Sequence, residues 1–103
     1  MHAVVRSYSG AGAKELMDIL EERKAEFESI VRAVTGFVAY SLIRTRDGGL
    51  SITVCEDETG TDQSIEFARD WVRKNAADLG SSPLVANLSL AVVTEGSVII
   101  HAS

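Results

Sequence analysis

Val34-Thr-Gly-Phe-Val-Ala-Tyr-Ser-Leu-Ile-Arg-Thr45, then Arg46-Asp-Gly-Gly49, then Leu50-Ser-Ile-Thr-Val-Cys-Glu56, is the stretch on which the architecture turns. Gly36 reads as a helix terminator, because glycine accepts the left-handed backbone that follows a last turn. The two β-rich runs, 37–45 and 50–56, are separated by Asp47-Gly48, the strongest short-range hairpin signal. A helix therefore ends here and an antiparallel pair begins.

Upstream, one long amphipathic helix is expected over about 13–34. Leu16, Met17, Leu20, Phe27, Ile30, Val31 and Val34 recur at spacings of three, four and seven. Before it, Ser9-Gly-Ala-Gly12 is a loop and residues 2–8 read as a strand. Downstream, the turn-rich Asp57–Asp62 leads into a second helix over about 62–79, capped by Thr61 or Asp62. Its buried stripe is Ile65, Ala68, Trp71, Val72 and Leu79. After Gly80-Ser-Ser-Pro83, residues 84–93 fit a strand or a partly helical segment equally well. Glu95-Gly96 reads as a break and residues 97–102 as a last strand. The order is β-α-β-β-α-β: an α+β, ferredoxin-like domain, with an antiparallel sheet and both helices on one face.

The strands say something about the other face. Residues 37–45 are apolar on both sides, and the terminal strands carry Val4 against Ala3 and Val5, and Val98 and Ile100 against Ile99. A sheet open to water on one face alternates apolar and polar residues, and this one does not. An apolar sheet face of more than a few hundred Å² marks an interface. A homodimer joined sheet to sheet is the expectation.

Composition bounds the rest. The chain has 103 residues, 46% hydrophobic and 24% charged, with a net charge of −5. That describes one domain with one core. The second half is the acidic half, and the basic residues are scattered, so nucleic acid and anionic membrane surfaces are excluded as partners. No apolar run approaches the ~20 residues of a membrane span. The start, Met1-His-Ala-Val-Val-Arg6, lacks signal-peptide character, and a cytoplasmic protein is expected. A single cysteine, Cys55, rules out an internal disulfide and a cysteine-built zinc site.

Val34–Tyr40 entering the second strand resembles the antibiotic-biosynthesis-monooxygenase-like group of the dimeric α+β-barrel superfamily. Ile52-Thr-Val-Cys-Glu-Asp57, Gly60-Thr-Asp-Gln-Ser64 and Ala68-Arg-Asp-Trp-Val-Arg-Lys-Asn75 look like a small stand-alone bacterial branch of it. The resemblance covers nearly the whole chain and weakens over 80–95. It implies two domains paired face to face, a pocket between sheet and helices, and chemistry that ranges from cofactor-free oxygenation of phenols to haem degradation. Fold and dimer follow from it more strongly than reaction. The histidine often found on the second helix of such relatives is absent here. The asparagine, tryptophan and histidine of the haem-degrading members cannot be laid onto this chain either.

Several residues bear on chemistry. Tyr40 and Trp71 are candidate walls of a helix–sheet pocket, with Tyr8 as a further strand phenol; each is also a natural core residue. His101 is a candidate base toward a phenol, and Arg6 a candidate holder of an enolate-like charge. A surface histidine is the plainer reading of His101. Two histidines, His2 and His101, make a poor metal site. The terminal strands are expected to be neighbours, which would bring His2 or Arg6 toward His101. Gly10-Ala-Gly-Ala-Lys14 fails both phosphate-loop patterns. The carboxylates beside Cys55 raise a thiol pKa, so a structural cysteine is expected. Glu56-Asp-Glu58 lacks the spacing of a calcium loop and suits the start of the second helix. No cofactor or metal motif is present. Two readings stay open: a cofactor-independent oxygenase for a small aromatic or apolar molecule, and a non-catalytic module that binds a ligand or only assembles.

Overall fold

The computed structural model describes residues 1–10, 12–79 and 92–102. The elements are β1 (His2–Ser9), α1 (Ala13–Glu22), α2 (Lys24–Arg32), β2 (Phe37–Thr45), β3 (Gly48–Cys55), α3 (Glu58–Leu79) and β4 (Val92–Ser97). The strands form one antiparallel sheet in the order β2-β3-β1-β4, and the helices pack against one face of it. This is the expected α+β, ferredoxin-like plan. No helix among the described residues is long and apolar enough to cross a membrane.

The expected single helix over 13–34 is broken at Arg23, whose backbone leaves the helical region at φ −108° and ψ 27°. The apolar stripe lapses there. After Leu20 the next positions on the buried face are Arg23 and Lys24, and apolar character returns only at Phe27. The helix stops before Gly36, at Arg32 with Ala33 as its cap. The positive φ of Gly36, +69°, serves the turn into β2, where its carbonyl accepts from the Glu56 N–H at 2.8 Å.

The hairpin between β2 and β3 is tighter than expected. Thr45 pairs with Gly48, so Arg46-Asp47 is the turn, and both glycines belong to β3. A side chain at Gly49 would run into Met17, so this glycine lets α1 lie close on the sheet.

The second helix begins four residues earlier than the sequence suggests, at Glu58. Asp57, not Thr61 or Asp62, accepts from the helix start, with its Oδ1 3.4 Å from the Gly60 N–H. Gly60 permits the early start, because a Cβ there would meet the Thr35 carbonyl and Cys55. Ile65, Ala68 and Trp71 form the inward stripe; the side chains of Val72 and Leu79 lie outside the described set.

The last strand is corrected in register. It runs over 92–97, not 97–102, and includes the Glu95-Gly96 pair that reads as a break. Gly96 is tolerated on this edge strand with open space around it. His2 opposes Ser97, so β1 offers almost no backbone beyond that point. Among the described residues the Val98 N–H finds a partner there, the Met1 carbonyl at 3.0 Å. Ile99 and Ile100 are 94% and 84% exposed. Of the segment 84–93, only Val92 and Val93 are described, both in β4; residues 84–91 lie outside the described set.

Candidate functional site

β1 sends Val4, Arg6 and Tyr8 toward the helices, and all three are buried. Across the ladder, Val4 opposes Thr53, Arg6 opposes Ser51, and these oppose Tyr40 and Leu42 of β2. Beneath the helices the sheet therefore presents a polar patch of Arg6, Tyr8, Tyr40, Ser51 and Thr53. Leu20, Phe27, Val31, Ser64 and Ala68 close over it.

Arg6 is 4% exposed. Its Nη1 donates to the Ile65 carbonyl at 3.5 Å, and its guanidinium lies over the Tyr8 ring at 5.6 Å. Its Nε is buried without a partner. Among the described residues no carboxylate lies within ion-pair distance of it. Arginine keeps its charge in proteins, so this is a buried cation held by neutral groups.

Burial raises the Tyr40 phenol well above its ordinary 10.0, with Tyr8 adding to the rise and Ser51 and Arg6 opposing it. Burial also raises Tyr8, against the opposing pull of Arg6. Both phenols are thus protonated at neutral pH and act as donors, not bases. One cation and two phenolic donors on one patch suit a negatively charged oxygen.

The patch is nearly closed. About 10 Å³ of free space remains beside it, roughly one water. Phe27 fills the rest, 5.6 Å from the Tyr40 ring and 5.1 Å, edge-on, from Trp71. On the far side of Phe27 and Tyr40 a groove of about 410 Å³ runs between α2 and the edge strand β2. Leu20, Phe37, Ala39 and Leu42 floor it, and Lys24, Glu28 and Arg32 rim it, the last two joined at 2.8 Å.

Of the residues singled out in the sequence, the structure brings Arg6, Tyr8 and Tyr40 together. Trp71 is buried and packs on Phe27, which in turn packs on Tyr40; it lines a separate surface groove between α2 and α3 with Phe67 and Ile30. His101 is exposed beyond the end of β4 and lines none of these cavities, because the last strand ends earlier than expected. His2 instead meets α3, its Nδ1 2.8 Å from Thr61 Oγ1, with Glu95 3.5 Å from the same hydroxyl. Cys55 is fully buried, and burial, then Asp57, raises its thiol. No three metal-ligating side chains gather among the described residues.

Ser51, Thr53 and Ser64 were not singled out. The signal for Ser51 and Thr53 is in β3, where Leu50-Ser-Ile-Thr-Val54 alternates cleanly but points its polar set inward; Ser64, on α3, has none of this kind.

No protein-family model matches the sequence, and no curated protein matches it. Solved structures do match in shape. A protein of unknown function from Nitrosomonas europaea, NE2512, superposes at a TM-score of 0.65 with 18% identity, covering 99% of this chain and 91% of that one. MhuD, in a mutant form holding two manganese protoporphyrin IX per active site, superposes at 0.63 with 19% identity, covering 100% and 99%. SnoaB, a cofactor-independent oxygenase from Streptomyces nogalater, superposes at 0.51 with 18% identity, covering 99% and 94%. The shared architecture is the ferredoxin-like α+β fold. At these identities the likeness concerns the fold, and the chemistry must be argued from the site.

Proposed function

We propose that this chain is a homodimeric, monooxygenase-like protein that takes a small aromatic molecule by an ionisable oxygen. The observation that carries this reading is Arg6, a buried cation beside two protonated phenols with no carboxylate partner among the described residues. Burying such a charge costs several kcal/mol unless an anion offsets it. A phenolate or enolate oxygen bound at Arg6, with Tyr8 and Tyr40 donating to it, supplies that anion. The apolar groove beyond Phe27 suits the ring system that carries the oxygen.

Arg6 lowers the pKa of a bound phenol, so solvent can take its proton at neutral pH. The electron-rich phenolate is then its own reductant toward dioxygen. Dioxygen adds whole to a ring carbon that carries hydrogen and takes up a proton, forming a C–O–OH hydroperoxide. Loss of water from it leaves a quinone, the substrate having given up four electrons. The chain's part is to orient the ring and hold the charge.

The dimer rests on the outer sheet face. Val5 and Ile52 oppose one another there, as do Leu50 and Ile43, and Val92 stands 63% exposed at the edge. A second copy laid against this face removes it from water.

One observation favours a second reading, the non-catalytic module: the helix–sheet space is filled by Phe27 to within about 10 Å³. Native mass spectrometry of protein purified without added ligand, with oxygen uptake on dihydroxynaphthalenes, separates the two. Twice 11.1 kDa with phenol-dependent uptake abolished by Arg6→Met supports the oxygenase. A dimer without uptake on any phenol supports the module, and a monomer contradicts the dimer in both.

A further inference from the structure

We propose that Phe27 is the specificity-determining residue of this site, a ring gate through which a ligand passes from the outer groove to Arg6. This rests on the reading of Arg6 as the receiver of a ligand oxyanion. Phe27, Leu20, Tyr40 and Leu42 line both the groove and the closed patch, so they are the partition between the two. Leu20 and Leu42 flank it, and the two aromatic rings stand tilted at 59° to one another across it.

Of the two rings, Phe27 is the one that moves. Tyr40 stands on a strand hydrogen-bonded to β3 on both sides of it, opposite Thr53, which fixes its backbone. Phe27 stands on α2, a helix of 9 residues joined to α1 through the non-helical Arg23. Its neighbours on the other side are Trp71 and Val31, apolar contacts that any displaced position can replace in part. A ligand edge that enters must take the place of the Phe27 ring. The gate therefore admits a planar ring bearing its oxygen at the leading edge, and rejects rings substituted on both sides of that oxygen.

The test uses 7-hydroxycoumarin, whose phenol and phenolate absorb at different wavelengths, mixed rapidly with the protein at a pH below the free probe's own pKa. In the native chain the probe enters the groove quickly, and the phenolate band follows in a slower phase as Phe27 is displaced. Phe27→Leu, which keeps most of the core volume, speeds that slow phase about tenfold, and Phe27→Trp slows it by a similar factor. Phe67→Leu, at a residue that lines neither the outer groove nor the closed patch, leaves the slow phase at the native rate. Far-UV circular dichroism and a cooperative thermal transition confirm that each variant is folded. Equal rates in the Leu, Trp and native proteins overturn the gate while leaving the oxyanion site standing. A phenolate band in none of them overturns the oxyanion site, and the gate with it.

Discussion

The Arg6 guanidinium lies 5.6 Å from the centroid of the Tyr8 ring, two residues along the same face of β1. A cation over a desolvated phenol ring gains about 2 kcal/mol. Its hydrogen bond to the Ile65 carbonyl, at 3.5 Å, is long and weak. Removing the guanidinium from water costs several kcal/mol. The desolvation cost is the larger, so Arg6 occupies this position at the expense of stability.

Replacing it tests that inequality. Arg6→Met keeps the packing volume and removes the charge. Its unfolding free energy, from urea denaturation, is expected to equal the native value or exceed it by about 1–2 kcal/mol. A loss of more than about 2 kcal/mol would make Arg6 a structural residue and contradict its role as a binding group.

The two phenols give a pH dependence with a definite sign. Their folded-state pKa values lie above the ordinary 10.0, so the unfolded chain loses these protons first as pH rises. The stability that the neutral phenols contribute is complete below 10.0 and is lost as pH rises toward the folded-state values. Tyr40→Phe is expected to flatten this alkaline loss and to leave stability near neutral pH within about 1 kcal/mol. Melting temperatures measured from neutral pH into the alkaline range check both parts. An alkaline slope unchanged in the variant would contradict the burial argument.

Much of the fold was legible in the residues that punctuate it. Gly36 takes the positive φ its type suggests, though in the turn into β2 and not at the helix end, and the terminal strands are neighbours as the topology requires. Two of the errors share a cause, while the helix break at Arg23 has its own in the lapse of the apolar stripe. Gly60 and Gly96 lie inside regular elements, whereas sequence reasoning treats glycine as a break. At Gly60 the reason is a close approach of α3 to Thr35 and Cys55, which no local pattern reports. The polar patch was half legible. Arg6, Tyr8 and Tyr40 stand out as residue types, but the direction in which Ser51 and Thr53 face depends on which side of the sheet the helices cover.

The two glycines separate under substitution. Gly60→Ala forces a methyl into the Thr35 carbonyl and Cys55 and is expected to cost about 1–3 kcal/mol. Gly96→Ala meets nothing within 4 Å and is expected to be neutral or to stabilise by about 0.5 kcal/mol. Denaturant midpoints of the pair decide it. A tolerated Gly60→Ala would contradict the close packing of α3 on the end of β3.

The outer sheet face has its own test. Ile52 points away from the helices, opposite Val5, so Ile52→Lys places a charge at the centre of the proposed dimer contact without touching the polar patch. Sedimentation is expected to shift from twice 11.1 kDa to 11.1 kDa with the monomer still folded. A dimer that survives the lysine would place the contact elsewhere.

The most direct test of the central claim is the pKa of a bound phenol. Titrating 7-hydroxycoumarin on the native chain and on Arg6→Met, and following its phenolate band at equilibrium, reads the charge it meets. The account predicts a bound pKa at least about one unit below that of the free probe on the native chain, and above that of the free probe on Arg6→Met. The same bound pKa on both proteins would contradict it.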